Sequence, residues 1–203
     1  ITSITIPISV TEIKQYAFQS NSLLTSVVFN DINNSTFTTM GSSVFSNCSA
    51  LAAITLPSSV TTINSAAFRQ MTALTSFTWP STVTIINQQM FENCTNLNSI
   101  TIPSTVTLIY QKTFNNCTSL TSVIVPDLVT LIDAEVFNNC SALTSVTIGA
   151  AVTTIGSSNF QQSPLTTVVM KTGSVVFSTV FSGINTITTV TFDYAGIVPA
   201  NAC

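Results

Sequence analysis

Apolar residues return along this chain at a regular interval of 23 residues, with small and hydroxylated residues between them. Each copy of the pattern opens on a leucine or isoleucine, and the openings are Ile1, Leu24, Leu51, Leu74, Leu97, Leu120, Leu143 and Leu165, followed by an incomplete copy from Ile187. A unit this short cannot bury its own apolar face, so the copies must stack on one another as the coils of a solenoid. The pattern therefore predicts one elongated, β-rich solenoid of about nine coils.

We number the positions within a copy from its opening residue, which is position 0. Apolar residues occupy positions 0, 3, 5, 9, 12, 17 and 20, which in the fifth copy are Leu97, Ile100, Ile102, Val106, Ile109, Phe114 and Cys117. We expect this set to be buried and to stack on its counterparts in neighbouring copies. Hydroxylated residues at positions 2 and 4 alternate with β-branched residues at positions 3 and 5, which predicts a half-buried strand. A second short strand is predicted at positions 9–12, followed by a turn or a single helical turn that leads to the Phe.

Proline occupies position 6 in five copies, at Pro7, Pro57, Pro80, Pro103 and Pro126. Proline has no backbone N–H, so it would interrupt the hydrogen-bond ladder of a strand that continued through it. The first strand of each copy is therefore expected to end here. Neighbouring strands lie about 4.8 Å apart, so about nine coils predict a body about 40 Å long.

The consensus of the copies is L-T-S-I-T-I-P-S-x-V-T-x-I, followed by F-x-N-C-T/S-x-L. It resembles the BspA-type leucine-rich repeats of bacterial and protist surface proteins, over nearly the whole chain. The resemblance implies a right-handed β-rich leucine-rich-repeat solenoid, extracellular or cell-surface placement, and adhesion or host-matrix binding without enzymatic activity. Three features depart from the pattern: a four-residue insertion within residues 30–36, Gly149 in place of proline, and an irregular eighth copy around residues 171–173.

Charge and composition exclude several classes of function. Only 5% of the residues are charged and the mean hydropathy is +0.53, so the surface must be mostly Thr, Ser, Asn and Gln. No apolar run reaches the ~20 residues of a membrane span, so the hydropathy indicates a packed interior. Lys and Arg together number four and do not cluster, which argues against nucleic-acid binding. The chain has no His, no Gly-rich phosphate loop and no matched carboxylate pair, so we expect neither catalysis nor a cofactor.

Two pairs of opposite charges follow the repeat. Arg69 precedes Glu92 by 23 residues, and Lys112 precedes Glu135 by the same interval. Stacking places each pair side by side on adjacent coils, where opposite charges attract. We expect exposed ion pairs that maintain register and contribute about 0–1 kcal/mol each.

The cysteines also follow the repeat. Position 20 is occupied in successive copies by Cys48, Met71, Cys94, Cys117 and Cys140. Methionine in this row favours a buried apolar slot, so we expect free thiols that pack as small hydrophobes. A straight row without His does not suit zinc, and Asp127, Asp133 and Glu135 lack the spacing of a calcium loop, so no metal site is expected. Cys203 stands apart, and an intersubunit disulfide through it stays open.

Six asparagines lie in N-glycosylation sequons, at Asn33, Asn34, Asn47, Asn93, Asn116 and Asn139. The last four belong to the repeated N-C-T/S turn, where stacked glycans about 4.8 Å apart would collide. Asn33 and Asn34 lie in the inserted segment of the second copy, which we expect to be exposed. They are therefore the candidate glycosylation sites, provided that the source is eukaryotic and secretory.

The first strands are expected to present rows of hydroxyl groups to solvent at positions 1 and 2. The candidate binding surface consists of Thr75, Ser76, Ser99, Thr121, Ser122, Thr144 and Ser145. Such a face suits a protein or glycan ligand held through hydroxyl groups. The favoured interpretation is a noncatalytic, adhesin-like extracellular binding module.

Two other functions are compatible with the sequence. Ice binding would use the threonines of position 4 (Thr55, Thr78, Thr101 and Thr147), but Val28, Ile124 and Val169 interrupt that row. Self-assembly into a filament or surface coat is the stronger alternative, because low charge removes the repulsion that keeps proteins apart.

The ends of the chain bear on this alternative. Residues 1–203 are expected to form a single domain that is a segment of a longer or processed chain, because the last copy is incomplete. The strands at residues 1–6 and 187–192 should each present an unpaired backbone edge. We therefore predict homo-association through the solenoid ends, or further repeats in the parent chain.

Overall fold

The structure is a computed structural model that describes residues 1–30, 32–33, 36–175 and 180–193. These residues form a solenoid of parallel strands. The strands are β1 (Ser3–Ile6), β2 (Glu12–Ile13), β3 (Ser26–Phe29), β4 (Thr39–Met40), β5 (Thr62–Ile63), β6 (Ile85–Ile86), β7 (Leu108–Ile109), β8 (Ser122–Ile124), β9 (Leu131–Ile132), β10 (Ser145–Ile148), β11 (Thr154–Ile155), β12 (Thr167–Met170) and β13 (Thr189–Phe192).

The strands build two walls of the solenoid. The first wall uses positions 2–5 and contains β1, β3, β8, β10, β12 and β13, while the second wall uses positions 11–12 and contains the others. Partners on adjacent coils are usually one 23-residue repeat apart, as Ser122 and Ser145 are. The interval lengthens at the insertion, where Glu12 pairs with Thr39, and shortens by one residue at the eighth copy, where Ser145 pairs with Thr167. The predicted solenoid is confirmed, and two short strands form in the first, second, sixth and seventh copies.

A third wall lies at positions 15–19, where a turn or a single helical turn is predicted. The turn is present and the helical alternative is wrong, because the residues at positions 15 and 19 have positive φ, such as 57° at Lys112 and 60° at Asn116. Backbone N–H groups of this wall donate to the next coil, as Phe114 does to the Val136 carbonyl at 2.9 Å. Bonds of this kind join every pair of adjacent copies from the first to the seventh. Asparagine tolerates the left-handed region well, which explains its recurrence in the N-C-T/S turn.

A row of stacked phenylalanines at position 17 runs along the core. The ring centroids of Phe114 lie 5.7 Å from Phe91 and 5.5 Å from Phe137, with nearly parallel planes. In the fifth copy the predicted burial is confirmed for Leu97, Ile102, Val106, Ile109, Phe114 and Cys117. The prediction is wrong for Ile100, which is only half-buried and packs at the border of the core.

Proline at position 6 decides where the first wall opens. This position is Asn30, Lys171 and Asp193 in the second, eighth and ninth copies, and each N–H donates to a carbonyl of the preceding coil at 2.8–3.0 Å. In the third to sixth copies it is proline, which has no N–H to donate. No strand pairing joins any of these four copies to the preceding one on the described part of the first wall. The expectation that proline ends a formed strand is therefore wrong for the third to fifth copies, where no first-wall strand forms at all.

Gly149 replaces this proline in the seventh copy, and the wall is closed there between β8 and β10. A Cβ added to Gly149 would lie 2.2 Å from the carbonyl oxygen of Pro126. The coils therefore approach each other so closely that only glycine fits at this position.

An aromatic cluster fills the coil where both strand walls are interrupted. Phe77 and Trp79 take positions that are aliphatic in most copies, and they pack against Phe68 and Phe91 at centroid distances of 4.9–5.5 Å. The second wall is also interrupted here, between β5 and β6. Trp79 Nε1 is buried without a hydrogen-bond partner, and its ring meets Phe77 and Phe91 edge to face. At this junction the packing of large aromatic side chains therefore takes the place of strand pairing between the coils.

Candidate binding surface

The residues of the predicted binding surface lie together on the first wall. Those that are exposed are Thr75, Ser76, Ser99, Thr121, Ser122 and Thr144, whereas Ser145 is half-buried. The predicted rows of hydroxyl groups therefore exist, and their role in binding stays a prediction.

Part of this hydroxyl chemistry is used by the fold. Thr144 Oγ1 donates to the Thr121 carbonyl at 3.3 Å, and Thr166 Oγ1 donates to the Thr144 carbonyl at 3.2 Å. These position 1 hydroxyls therefore present acceptor lone pairs rather than donors to a ligand. The serine side chains at position 2, such as Ser99 and Ser122, make no such bond to the described residues, and their hydroxyls can both donate and accept.

A longer threonine row escaped the sequence analysis. Position 10 is threonine in seven successive copies: Thr11, Thr38, Thr61, Thr84, Thr107, Thr130 and Thr153. Its hydroxyls also donate between coils, as Thr107 Oγ1 does to the Thr84 carbonyl at 3.2 Å. The unbroken interval was visible in the sequence. Because the row lies beside the second strand, it serves mainly to join the coils of the second wall.

A groove of about 660 Å³ opens on the first wall between the fifth and sixth copies. Residues 99–102 line one side, residues 122–128 line the other, and Lys171 lies at one end. The groove coincides with the junction that Pro126 leaves unpaired. Two apolar side chains are exposed in it, Ile124 at 65% and Leu128 at 58%. Ile124 is also one of the three residues that interrupt the position 4 threonines, so the row considered for ice binding has an exposed apolar residue in the groove.

An ion pair that the sequence analysis did not anticipate lies at the end of the groove. Lys171 Nζ lies 3.3 Å from Asp127 Oδ1, reaching across the seventh coil. The same carboxylate accepts the Ala150 backbone N–H at 3.2 Å. The two charged residues lie two copies apart, so a comparison of adjacent copies missed them.

Both predicted ion pairs are confirmed. Arg69 Nε lies 2.5 Å from Glu92 Oε2, and Lys112 Nζ lies 3.6 Å from Glu135 Oε2. Both side chains of the second pair are 38% exposed. The Glu92 side chain is only 12% exposed, and it also accepts from Gln89 Nε2 at 3.0 Å. The Arg69 pair therefore supports the junction at which both strand walls are interrupted.

The cysteines of position 20 are buried and free, as predicted. Their thiols donate to main-chain carbonyls of an earlier coil, as Cys117 Sγ does to Phe91 at 3.3 Å. Burial raises the pKa of Cys117 well above its ordinary value and raises the pKa of Cys94 and Cys140 to about 12. Such thiols are inert at physiological pH and act as packing groups. Cys203 lies outside the described residues.

The asparagines of the repeated turn form a side-chain ladder. Asn116 Nδ2 donates to Asn93 Oδ1 at 2.6 Å, and Asn139 Nδ2 donates to Asn116 Oδ1 at 2.7 Å. The nitrogens that a glycan would modify are thus engaged at Asn116 and Asn139. Asn33 is exposed, Asn34 lies outside the described residues, and glycosylation of either stays a prediction.

Three other predictions can be placed on the structure. No helix in the described ranges has the length and apolar character needed to cross a membrane. The same ranges contain no group of three or more His, Cys, Asp or Glu side chains able to hold a metal ion. β1 and β13 lie at the outer edges of their sheets, but residues 194–203 lie outside the described part of the chain, so association through the ends stays a prediction.

A family model described as "BspA type Leucine rich repeat region" matches in six copies over residues 1–121 and 61–188. A leucine-rich repeat protein from Bacteroides ovatus is 24% identical, with a TM-score of 0.63 over 95% of this chain and 61% of that one. The leucine rich repeat protein TpLRR of T. pallidum is 26% identical, with a TM-score of 0.59 over 69% of each chain.

A third solved structure is a leucine rich cell surface protein from Faecalibacterium prausnitzii. It is 21% identical, with a TM-score of 0.57 over 97% of this chain and 80% of that one. The chain thus spans about three fifths of the length of the Bacteroides protein. A search of curated proteins gives no match.

Proposed function

Because the chain belongs to the BspA-type leucine-rich repeat family, we propose that it is a noncatalytic, adhesin-like binding module of a cell surface. Its first wall is the binding surface, and its ligand is a protein or a glycan. The observation that carries this proposal is that exposed serine hydroxyls that bond to none of the described residues and an apolar groove lie together on one wall.

The other two walls support this assignment. Their polar groups form ladders between coils: the threonines of position 10 on the second wall and the backbone N–H groups on the third. A solenoid with these ladders is a rigid scaffold with an extended surface. On the described part of the first wall, hydroxyl groups that are not engaged in such ladders lie together with exposed apolar side chains. The cell-surface name of the Faecalibacterium protein supports the proposed location.

Binding can be tested on the purified chain with immobilised extracellular-matrix proteins and a glycan array. Replacing Ser76 and Thr144 together with Arg places bulk and charge on the first wall, whereas Gln161→Arg does the same on the third wall. Wild type and the Gln161 variant should bind the same ligand, and the first-wall variant should lose at least about tenfold in affinity. Equal loss in both variants, or no binding by wild type, contradicts the proposal.

Self-association remains the alternative, and the edge position of β1 is the observation that favours it. Light scattering over a hundredfold range of concentration separates the two functions. A growing particle mass supports the structural role, whereas a constant monomer mass leaves only the binding role.

A further inference from the structure

The groove between the fifth and sixth copies is where the surface departs most from its own repeat. Ile124 stands at a position that is Thr101 in the fifth copy, and Leu128 stands at a position that is Thr105. In addition, Asp127 stands where the third to fifth copies have serine. These departures meet at one site even though they fall at different positions of the repeat. Stacking of equivalent residues explains the positions that the copies share. It does not explain why Ile124, Asp127 and Leu128 differ from the repeat at one site.

Leu128 lacks the side-chain hydrogen bond that threonine makes at the same position of earlier copies. At the same position Thr105 Oγ1 donates to the Val83 carbonyl at 2.7 Å, and Thr82 Oγ1 donates to the Val60 carbonyl. Leucine has no hydroxyl to continue this ladder, and 58% of it is exposed to water. The substitution therefore gains neither a hydrogen bond nor full burial, which indicates a role outside the fold.

The backbone beside these side chains is also unpaired. On the closed part of the wall, N–H groups of positions 2 and 6 donate to the preceding coil, as Thr167 and Lys171 do at 3.0 and 2.9 Å. In a parallel ladder alternate residues bond on the same side, so the N–H groups of Ser122 and Ile124 point toward the fifth copy. No pairing joins β8 to the described residues of that copy. One edge of β8 therefore faces the groove.

From these observations we propose that the groove binds an extended peptide segment of a partner protein. The segment lies along the free edge of β8 and places apolar side chains on Ile124 and Leu128. The lining of residues 99–102 and 122–125 accommodates about four extended residues, at about 3.3 Å each. This assignment rests on the proposed binding function and specifies the class of its ligand.

A peptide fits the groove better than a glycan. An extended chain supplies backbone donors and acceptors at the spacing of a strand edge, and alternate side chains for the apolar pockets. The groove lining contains no aromatic ring on which a sugar could stack. Its Asp127–Lys171 pair adds one charge of each sign at a single end, which suits a peptide with a polar residue after its apolar stretch.

The test uses a panel of fluorescent, capped eight-residue peptides that alternate Thr with Val, Leu or Ile, and fluorescence anisotropy to measure binding. Ile124→Thr restores the residue of neighbouring copies, so it should fold, and it removes an apolar contact. Val28→Thr is the matched control, because Val28 has the same repeat position, is 50% exposed, and lies outside the groove. We expect Ile124→Thr to weaken binding by about tenfold or more, and Val28→Thr to leave it unchanged.

The proposed hydrogen bonds between the peptide backbone and the edge of β8 are tested by N-methylation of the peptide that binds most tightly. Methylation on one set of alternate residues should abolish binding and methylation on the other set should preserve it, because only one set faces β8. The proposal is overturned if methylation of either set of residues has the same effect, or if Ile124→Thr and Val28→Thr affect binding equally. It is also overturned if no peptide binds. A glycan that binds the first wall while all peptides fail also overturns it, but leaves the proposed function standing.

Discussion

The role assigned to proline predicts that one substitution closes the first wall. Pro126→Ala supplies the N–H that the sixth copy lacks, opposite a fifth coil already held in place on the second and third walls. Ser122 and Ile124 can then pair as their counterparts do in the closed part of the wall. Three backbone hydrogen bonds form at this junction.

Each such bond contributes about 1 kcal/mol net. Loss of the proline restores some freedom to the unfolded chain, which costs about 0.4–1 kcal/mol. We therefore expect the free energy of unfolding to rise by about 2 kcal/mol. If the three bonds open together, amide hydrogen exchange at Ser122 and Ile124 should slow by about 100-fold. Exchange measured by NMR, together with urea unfolding, gives both quantities.

Pro7→Ala is the matched control, because Pro7 lies in the first of the described coils and none of the described residues offers its new N–H an acceptor on the preceding side. It should show only the small loss from the unfolded chain. Unchanged exchange at Ser122 and Ile124 in Pro126→Ala would refute the argument, because the missing donor would then not be what opens the wall.

Three further predictions concern stability and are checked by urea unfolding. Phe114→Ala removes a fully buried ring between two stacked neighbours and should cost about 3–5 kcal/mol, whereas Phe18→Ala, at the half-buried end of the row, should cost less than half as much. Arg69→Ala should cost about 1–3 kcal/mol because it leaves a largely buried carboxylate without its cation, and a cost no larger than that of Lys112→Ala would contradict this reasoning. Burial raises the pKa of Cys117 well above 9.0, so the contribution of this thiol to stability is complete below about pH 9 and is lost as pH rises further. Above that pH, the slope of the free energy of unfolding against pH should correspond to about one proton fewer in Cys117→Ala than in wild type.

The repeat interval was sufficient to predict the core. A residue such as Phe114 recurs at the same position in successive copies, and stacking requires equivalent residues to meet. The same logic placed Arg69 beside Glu92 and kept the cysteines in one buried row. These predictions succeeded because they depend only on the number of residues in a coil.

The open wall could not be predicted from the interval alone. Proline was interpreted within its own copy, as the end of a strand, whereas its main effect is on the junction with the preceding copy. The Lys171–Asp127 pair was missed for a related reason, since it joins copies that are not adjacent. Both features are interactions between copies, and an interpretation of each position within its own copy does not reveal them.

This distinction also separates structure from function along the chain. A residue that follows the repeat, such as Thr107 in its hydroxyl ladder, is accounted for by stacking. Leu128 breaks the repeat on the surface, forgoes a ladder hydrogen bond and remains exposed, so stacking does not account for it. In a solenoid of nearly identical coils, a ligand can be distinguished only by residues that make one coil unlike the next. The sixth copy, with Ile124 and Leu128 beside an unpaired strand edge, is therefore where specific recognition has a physical basis.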